Sequence, residues 1–290
     1  MRKIAITALA ILVMIAAVMS LAFRSYEFDT LLNVLHITER YFADKDILSL
    51  AQNKSNDIIS FPIAYLAFMR TTFENQEELI NAYKPYLRAG DYISTISISP
   101  PDPAQNLEQL PFSNDKMKGV TYFSLDEIRN NVQSLKQRGV SFIGYDLESE
   151  GSPPTDLSDP VASMRDAFKV VHQYGLKLLA VPGYPFDTNT YVNQFAPYAD
   201  IYVIQAQGNE SQPSMYKSNV VGAINALRAA NPNARIITEL STNTGTLSDM
   251  KKSFSMVAQN VDGVTVWPES VKGLSKVKKF LEWYNAIYRQ

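Results

Sequence analysis

The sequence has no cysteine and almost no histidine, and each deficit excludes a class of chemistry. Without cysteine, the chain has no disulfide, no thiolate metal ligand, no iron–sulfur cluster and no cysteine nucleophile. With only 2 histidines in 290 residues, a metal site built from several histidines is nearly excluded too. No motif implies a cofactor, so we predict neither a cofactor nor a bound metal.

The sequence also has no excess of positive or of negative residues large enough to matter for binding. The chain has 27 Lys and Arg residues against 29 Asp and Glu residues, a formal net charge of -2. Such a balanced chain has no general electrostatic attraction to nucleic acid, and we predict no nucleic-acid partner. The apolar fraction of 46% is ordinary for a folded domain.

One long apolar run lies at the start of the chain. Residues 4–23 carry no charge, Arg2 and Lys3 precede them, and Arg24 follows. This pattern is typical of an export signal or a single membrane anchor, whereas a buried core helix is the alternative. We predict that residues 1–23 are a signal peptide or membrane anchor. The protein would then be extracellular or held at the cell surface, with residues 4–23 in the membrane if they are not cleaved.

Short apolar runs alternate with amphipathic helical patterns through the second half of the chain. The predicted strands there span residues 140–147, 176–181, 201–207, 235–241 and 261–267, and a helical pattern follows each one. The pattern after 201–207 predicts a helix over residues 219–230. An earlier unit has a strand over 120–123 and a helix that begins after Ser124, with Glu127 completing a capping box, and ends at Gly139. Further strand candidates span residues 92–99, 58–68 and 31–37.

Repeated strand–helix units require parallel strands joined by crossover helices. We predict an α/β fold, a (β/α)8 TIM barrel over residues 58–290, preceded by the leader and by residues 24–57 of uncertain structure. A barrel has eight strands, so one of the nine candidates is wrong. A doubly wound sheet is the alternative, although the chain contains no G-x-G for the nucleotide-binding form of that fold.

Two carboxylates alternate at the end of the strand over 140–147. Residues i and i+2 of a strand point the same way, so Asp146 and Glu148 are expected to face the barrel mouth together. Like charges held this close raise one pKa and yield an acid that donates a proton near neutral pH. Glycoside cleavage needs such an acid. The alternative is that both carboxylates cap the next helix or pair with a basic residue.

Other strand ends carry polar and aromatic residues that suit a sugar. Gln205 and Gln207 share one face and offer hydrogen bonds to hydroxyl groups, and Glu239 ends a later strand. Trp267 and Tyr184 are candidate platforms for a sugar ring. The structural alternatives are core filling for the tryptophan, loop packing for the tyrosine and backbone hydrogen bonding for the amides.

The segment 145–148 resembles the end of the D-x-x-D-x-D-x-E signature of family 18 glycoside hydrolases, the chitinase-like barrels. That family carries the signature on strand four, an amide or tyrosine on strand six and a tryptophan on strand eight. The resemblance implies that Glu148 is the general acid and that Asp146 orients an acetamido group. Ser141 and Gly144 stand where the signature has aspartates, and Gln207 stands at the family's tyrosine position.

A weaker resemblance concerns the retaining glycosidases of the large barrel clan. The strand over 237–240 is similar to the nucleophile strand of family 10 xylanases, which implies that Glu148 and Glu239 form the catalytic pair. Leu147 stands where that clan has asparagine before its acid.

Together these observations predict an exported glycoside hydrolase that cleaves a cell-envelope or environmental polysaccharide. Glu148 is the predicted acid/base, and Asp146 or Glu239 is the second carboxylate. The alternative is a non-catalytic barrel that binds carbohydrate or supports the envelope, because Ser141 and Gly144 replace two signature aspartates.

Overall fold

The structure is a computed structural model that describes residues 62–63, 76–96, 115–187, 189–268 and 270–289. All of them belong to one compact unit, residues 50–290. The predicted leader, the predicted segment 24–57 and the strand candidate over 31–37 lie outside the described residues. No described helix is both long and apolar enough to cross a membrane.

Eight parallel strands form a single sheet in the described part of the chain. In spatial order they run β1-β8-β7-β6-β5-β4-β3-β2, and every neighbouring pair is parallel. Their bounds are β1 Pro62–Ile63, β2 Tyr92–Ile96, β3 Met117–Tyr122, β4 Phe142–Leu147, β5 Lys177–Pro182, β6 Ile201–Gln205, β7 Arg235–Ser241 and β8 Gly263–Trp267. A doubly wound sheet reverses its strand order part-way, and this sheet does not.

In the described part of the chain, helices lie between β1 and β2 and between each consecutive pair of strands from β3 to β8, as the alternating pattern predicts. The helices are α1 Gln76–Tyr83, α2 Leu125–Gln137, α3 Pro154–Ser158, α4 Pro160–Gln173, α5 Asn189–Phe195, α6 Pro213–Ala230, α7 Leu247–Val257 and α8 Leu274–Tyr288. In α2, the Ser124 side chain accepts a hydrogen bond from the Asp126 N–H at 3.2 Å. Gly139, with φ +77°, ends the turn after this helix, because a left-handed backbone favours glycine.

The two faces of the sheet pack against different partners. On β4, the side chains of Ile143, Tyr145 and Leu147 belong to the core between the sheet and the helices. Phe142 faces the other way, into an interior cluster with residues of β2, β5, β6 and β7. Because strand residues alternate between faces, Asp146 follows Phe142 onto the interior face and emerges at its carboxyl end.

An ion pair joins the amino-terminal side of β2 to the end of the chain. Asp91 is fully buried, and its Oδ1 and Oδ2 lie 2.7 and 3.1 Å from Nη2 and Nη1 of Arg289. Arg289 also donates to the Tyr86 carbonyl at 3.1 Å. The carboxyl-terminal residues therefore fasten α8 to the start of the sheet.

Several predicted bounds shift once packing is included. Strand β3 begins at Met117, three residues before the predicted start, because parallel pairing with β2 extends to Tyr92. Helix α6 begins at Pro213 instead of near residue 219, with Pro213 in its first turn and Tyr216 fully buried. Of the candidate over 58–68, the structure describes residues 62–63, and these form β1.

Candidate active site

A cavity of about 300 Å³ opens where the carboxyl ends of the strands meet. Six of the seven predicted site residues line it: Asp146, Glu148, Gln205, Gln207, Glu239 and Trp267. Parallel strands bring their carboxyl ends to one edge, which explains why residues from four different strands meet there. The remaining lining residues are Ile96, Phe123, Glu150 and Val181.

Tyr184 is the predicted site residue that the structure does not bring to this cavity. Its side chain is 76% exposed, and it is not among the lining residues. The Tyr184 carbonyl instead accepts a hydrogen bond from the Ser149 N–H at 3.0 Å, which ties the loop after β5 to the loop after β4.

Asp146 is a buried carboxylate of the cavity. It is 7% exposed, and its Oδ1 has no hydrogen-bond partner. Burial raises the pKa of Asp146 well above its usual range, and the charges of Glu148 and Glu239 raise this pKa further. Asp146 is therefore protonated under conditions in which an ordinary aspartate is charged.

Glu148 lies at the rim, just past the end of β4. Its backbone N–H donates to the Ser152 hydroxyl at 3.1 Å, and that hydroxyl donates to the Asp146 carbonyl at 3.2 Å. These bonds fold the following loop back onto the strand and hold Glu148 at the cavity. Burial raises the pKa of Glu148, and the charge of Glu150 adds to the effect.

Glu239 reaches the cavity from β7 and is 3% exposed. The Tyr216 hydroxyl on α6 donates to the Glu239 carbonyl at 3.1 Å and lies 2.5 Å from the Thr238 hydroxyl oxygen. Helix α6 thereby fixes the backbone that carries the carboxylate.

Glu210 is a buried carboxylate outside the cavity that organises the end of β7. It is fully buried and accepts hydrogen bonds from the N–H groups of Ser241 at 2.6 Å and Gly208 at 2.9 Å. The Thr244 hydroxyl donates to it as well. Glu210 therefore joins the loop after β6 to the strand end that carries Glu239.

Gln205 and Gln207, the two predicted amides, line two neighbouring cavities. Nε2 of Gln207 donates to Oε1 of Gln205 at 3.1 Å. Both residues also line a second cavity of about 250 Å³ between the end of β6 and α6, together with Asp187, Asn209 and Asn219. The carboxylate cavity thus borders a polar cavity whose lining offers hydrogen bonds to hydroxyl groups.

Three further residues shape the site but are not in the sequence prediction. Phe123 directly follows β3, so its position at a strand end could have identified it. Glu150 lies two residues after Glu148, as Glu148 does after Asp146, and this spacing could have identified it. Gly183 has no such signal, because its contribution is the absence of a side chain beside Glu148.

Thr121 accounts for one departure from the family 18 signature. A Cβ on Gly144 would lie 2.1 Å from Oγ1 of Thr121, so the space of the middle signature aspartate is already filled. Oγ1 of Thr121 also lies 2.8 Å from Oγ of Ser94. Within the described residues, no three acidic or histidine side chains are arranged to hold a metal ion.

No model of a known protein family matches the sequence, and no curated protein is significantly similar to it. Among solved structures, a Bacteroides thetaiotaomicron protein proposed to be an alpha-L-fucosidase is 9% identical with a TM-score of 0.53, covering 81% of this chain and 97% of that one. The carboxyl transferase domain of Rhizobium etli pyruvate carboxylase is 12% identical with a TM-score of 0.50, covering 85% and 50%.

A chitinase from Chromobacterium violaceum is 11% identical with a TM-score of 0.47, covering 77% of this chain and 98% of that one. Archaeal fructose-1,6-bisphosphate aldolases match as well. Identities this low concern the fold alone, and the matched proteins carry out several kinds of chemistry. The chain therefore has a divergent fold of the TIM-barrel type, and its function has to be argued from its own site.

Proposed function

We propose that the protein is a glycoside hydrolase that acts on a polysaccharide. The observation that carries this function is the convergence of Asp146, Glu148 and Glu239 with Trp267 on one cavity at the carboxyl ends of the strands. Glycoside cleavage needs one carboxyl group that keeps its proton and a second that is charged. The flat ring of Trp267 suits the apolar face of a sugar.

Glu148 is the proton donor in this mechanism. It is half-buried at the cavity rim, and its raised pKa keeps the carboxyl protonated closer to neutral pH. The proton passes to the oxygen of the leaving sugar as the glycosidic bond breaks. Glu148 then takes a proton from the water that completes hydrolysis.

Glu239 is the second catalytic carboxylate, and Asp146 has a different role. Burial first, and then the charges of Glu148 and Glu239, raise the pKa of Asp146 well above its usual range. Its carboxyl therefore keeps a proton to higher pH than an ordinary aspartate does, and a protonated carboxyl is a poor nucleophile. Asp146 therefore donates a hydrogen bond to the reacting sugar or to a neighbouring carboxylate. Glu239 faces the developing positive charge at the anomeric carbon.

Conservative substitutions test these roles. We expect E148Q and E239Q each to lower the rate of hydrolysis about 100-fold or more, and D146N to lower it less. Release of reducing ends from a panel of polysaccharides measures the rate, and circular dichroism checks the fold. Azide should restore turnover to E239A if Glu239 is the nucleophile. Undiminished hydrolysis by folded E148Q would remove Glu148 from the mechanism.

A non-catalytic carbohydrate-binding barrel is the second candidate. Its support is the contact between Gly144 and Thr121, which leaves no room for the middle aspartate of the signature. Such a protein would bind oligosaccharides at the same cavity without releasing products. Binding by the wild type, together with unchanged substrate after prolonged incubation, would favour this candidate over the hydrolase.

Two finer features belong to the same proposal. The first feature is that the sheet closes into a complete (β/α)8 barrel. The pairing of β1 with β8, the first and last strands along the chain, supports it. The first 23 residues take the protein to the cell surface or beyond it, where polysaccharides of the envelope and environment are found. Accessibility of the folded domain to protease added outside intact cells tests the second feature.

A further inference from the structure

The cavity concentrates negative charge without a matching cation. Four of its lining residues are carboxylic acids: Asp146, Glu148, Glu150 and Glu239. No Lys, Arg or His among the described residues lines it. Burial is the first cause of the raised pKa values of Asp146 and Glu148, and the charges of neighbouring carboxylates raise both further.

An unsatisfied oxygen independently indicates a missing ligand group. Oδ1 of Asp146 is buried and has no hydrogen-bond partner, although the residue is only 7% exposed and lines the cavity. A buried polar atom of this kind costs stability unless a donor reaches it. A bound molecule that brings an N–H donor to the base of the cavity would satisfy it.

We propose that the sugar bound beside Asp146 carries a free amino group, so that the substrate is a cationic polymer of de-N-acetylated amino sugars; this deepens the hydrolase function proposed above. An ammonium group supplies three donors and one positive charge. It would satisfy Oδ1 of Asp146 and offset the repulsion among the carboxylates. A neutral or N-acetylated sugar brings no charge and leaves that repulsion in place.

The remaining walls of the cavity agree with an aminated sugar. Trp267 and Phe123 provide aromatic surface, which attracts both the apolar face of a sugar ring and a nearby cation. Gln205 and Gln207 provide amides for the hydroxyl groups. Asp146 interacts electrostatically with both Glu148 and Glu239, so an ammonium group beside it feels all three carboxyl groups.

Calorimetry on the full chain distinguishes the two sugar classes. The probes are oligosaccharides of glucosamine and of galactosamine, each paired with its N-acetylated counterpart of equal length. We expect at least one amino oligosaccharide to bind about tenfold or more tightly than its N-acetylated form. The advantage should shrink as salt rises, because the attraction is between charges.

A charge-removing variant locates the effect. Glu150 is exposed at the rim, so E150Q should leave the fold intact. We expect this change to weaken binding of the amino oligosaccharide about two- to fivefold and to leave the N-acetylated form unaffected. E282Q is the matched control, because Glu282 is an exposed carboxylate of α8 that does not line the cavity.

The possible outcomes test the substrate class and the hydrolase function separately. Tighter binding of the N-acetylated forms, or no binding of any probe, would overturn the inference. Cleavage of neutral polysaccharides with rejection of amino oligosaccharides would overturn it as well and leave the hydrolase function standing. Tight binding of an amino oligosaccharide without cleavage would support the inference and count against the hydrolase.

Discussion

Gly183 leaves open the space that the Glu148 side chain occupies. A Cβ on Gly183 would lie 2.7 Å from Oε2 of Glu148 and 2.8 Å from its Cβ, both closer than real Cβ atoms approach. The same Cβ would lie 3.4 Å from Oε1 of Gln205. The loop after β5 therefore positions the proposed acid by lacking a side chain.

We expect Gly183→Ala to push Glu148 out of position and to lower the rate of hydrolysis about 100-fold, because a displacement near 1 Å costs about that much. Reducing-end release measures this effect. Gly139→Ala is the control, since Gly139 has φ +77° and no atom within 4 Å of its added Cβ. That variant should lose about 1 kcal/mol of stability at unchanged activity. Full activity in Gly183→Ala would show that hydrolysis does not depend on the observed position of the Glu148 side chain.

Tyr184 serves as the control for Trp267, because Trp267 lines the cavity whereas Tyr184 is 76% exposed and lies outside its lining. We expect Trp267→Ala to raise the dissociation constant of an oligosaccharide about tenfold, which corresponds to about 1.4 kcal/mol. Tyr184→Ala should change it less than about twofold. Titration calorimetry compares the two. An equal loss in both variants would mean that the loop of Tyr184 closes over the bound sugar.

The raised pKa of Asp146 gives stability a definite pH dependence. The pKa of Asp146 is higher in the folded state than in the unfolded state. Its contribution to the free energy of unfolding is therefore fully present below the unfolded-state pKa, about 3.9. That contribution is lost as pH rises through the folded-state pKa. We expect Asp146→Asn to raise the free energy of unfolding at pH 7 by about 0.5–2 kcal/mol. Urea unfolding from pH 4 to pH 8 measures the difference, and a difference independent of pH would contradict this explanation.

The ion pair between Asp91 and Arg289 makes the end of the chain essential for stability. Arg289→Met would leave a fully buried carboxylate without its partner, and we expect a loss of about 3–5 kcal/mol. The double variant Asp91→Asn with Arg289→Met should recover part of it, because the unpaired charge is gone. Thermal and urea unfolding measure both. A loss under 1 kcal/mol in Arg289→Met would mean that Asp91 finds another partner.

Strand β7 illustrates how much of the fold follows from the sequence. Its observed bounds, Arg235–Ser241, are those that the apolar pattern predicts. The spacing of two likewise predicts that Asp146 and Glu148 reach the same cavity, as they do. The alternation within a strand and the common edge of parallel strands explain the bounds of β7 and the position of Asp146. Glu148 lies one residue past the end of β4, and the hydrogen bonds of Ser152 hold it at the cavity.

The bounds of α6 and the position of Tyr184 show where that reasoning stops. Helix α6 starts at Pro213, earlier than its apolar pattern indicates, because the buried Tyr216 hydroxyl reaches β7. The ring of Tyr184 follows a strand but points to solvent. Residues past a strand end no longer alternate, so their direction depends on loop contacts such as the one with Ser149.

The sequence by itself determined the alternation of strands and helices and which carboxylates stand at the strand ends, because both depend on local periodicity. Only the tertiary structure decided that Gly183 makes room for Glu148 and that Asp91 meets Arg289 across 198 residues. It also decided that Oδ1 of Asp146 lacks a partner. These features depend on distances between distant segments, and no local pattern encodes such distances.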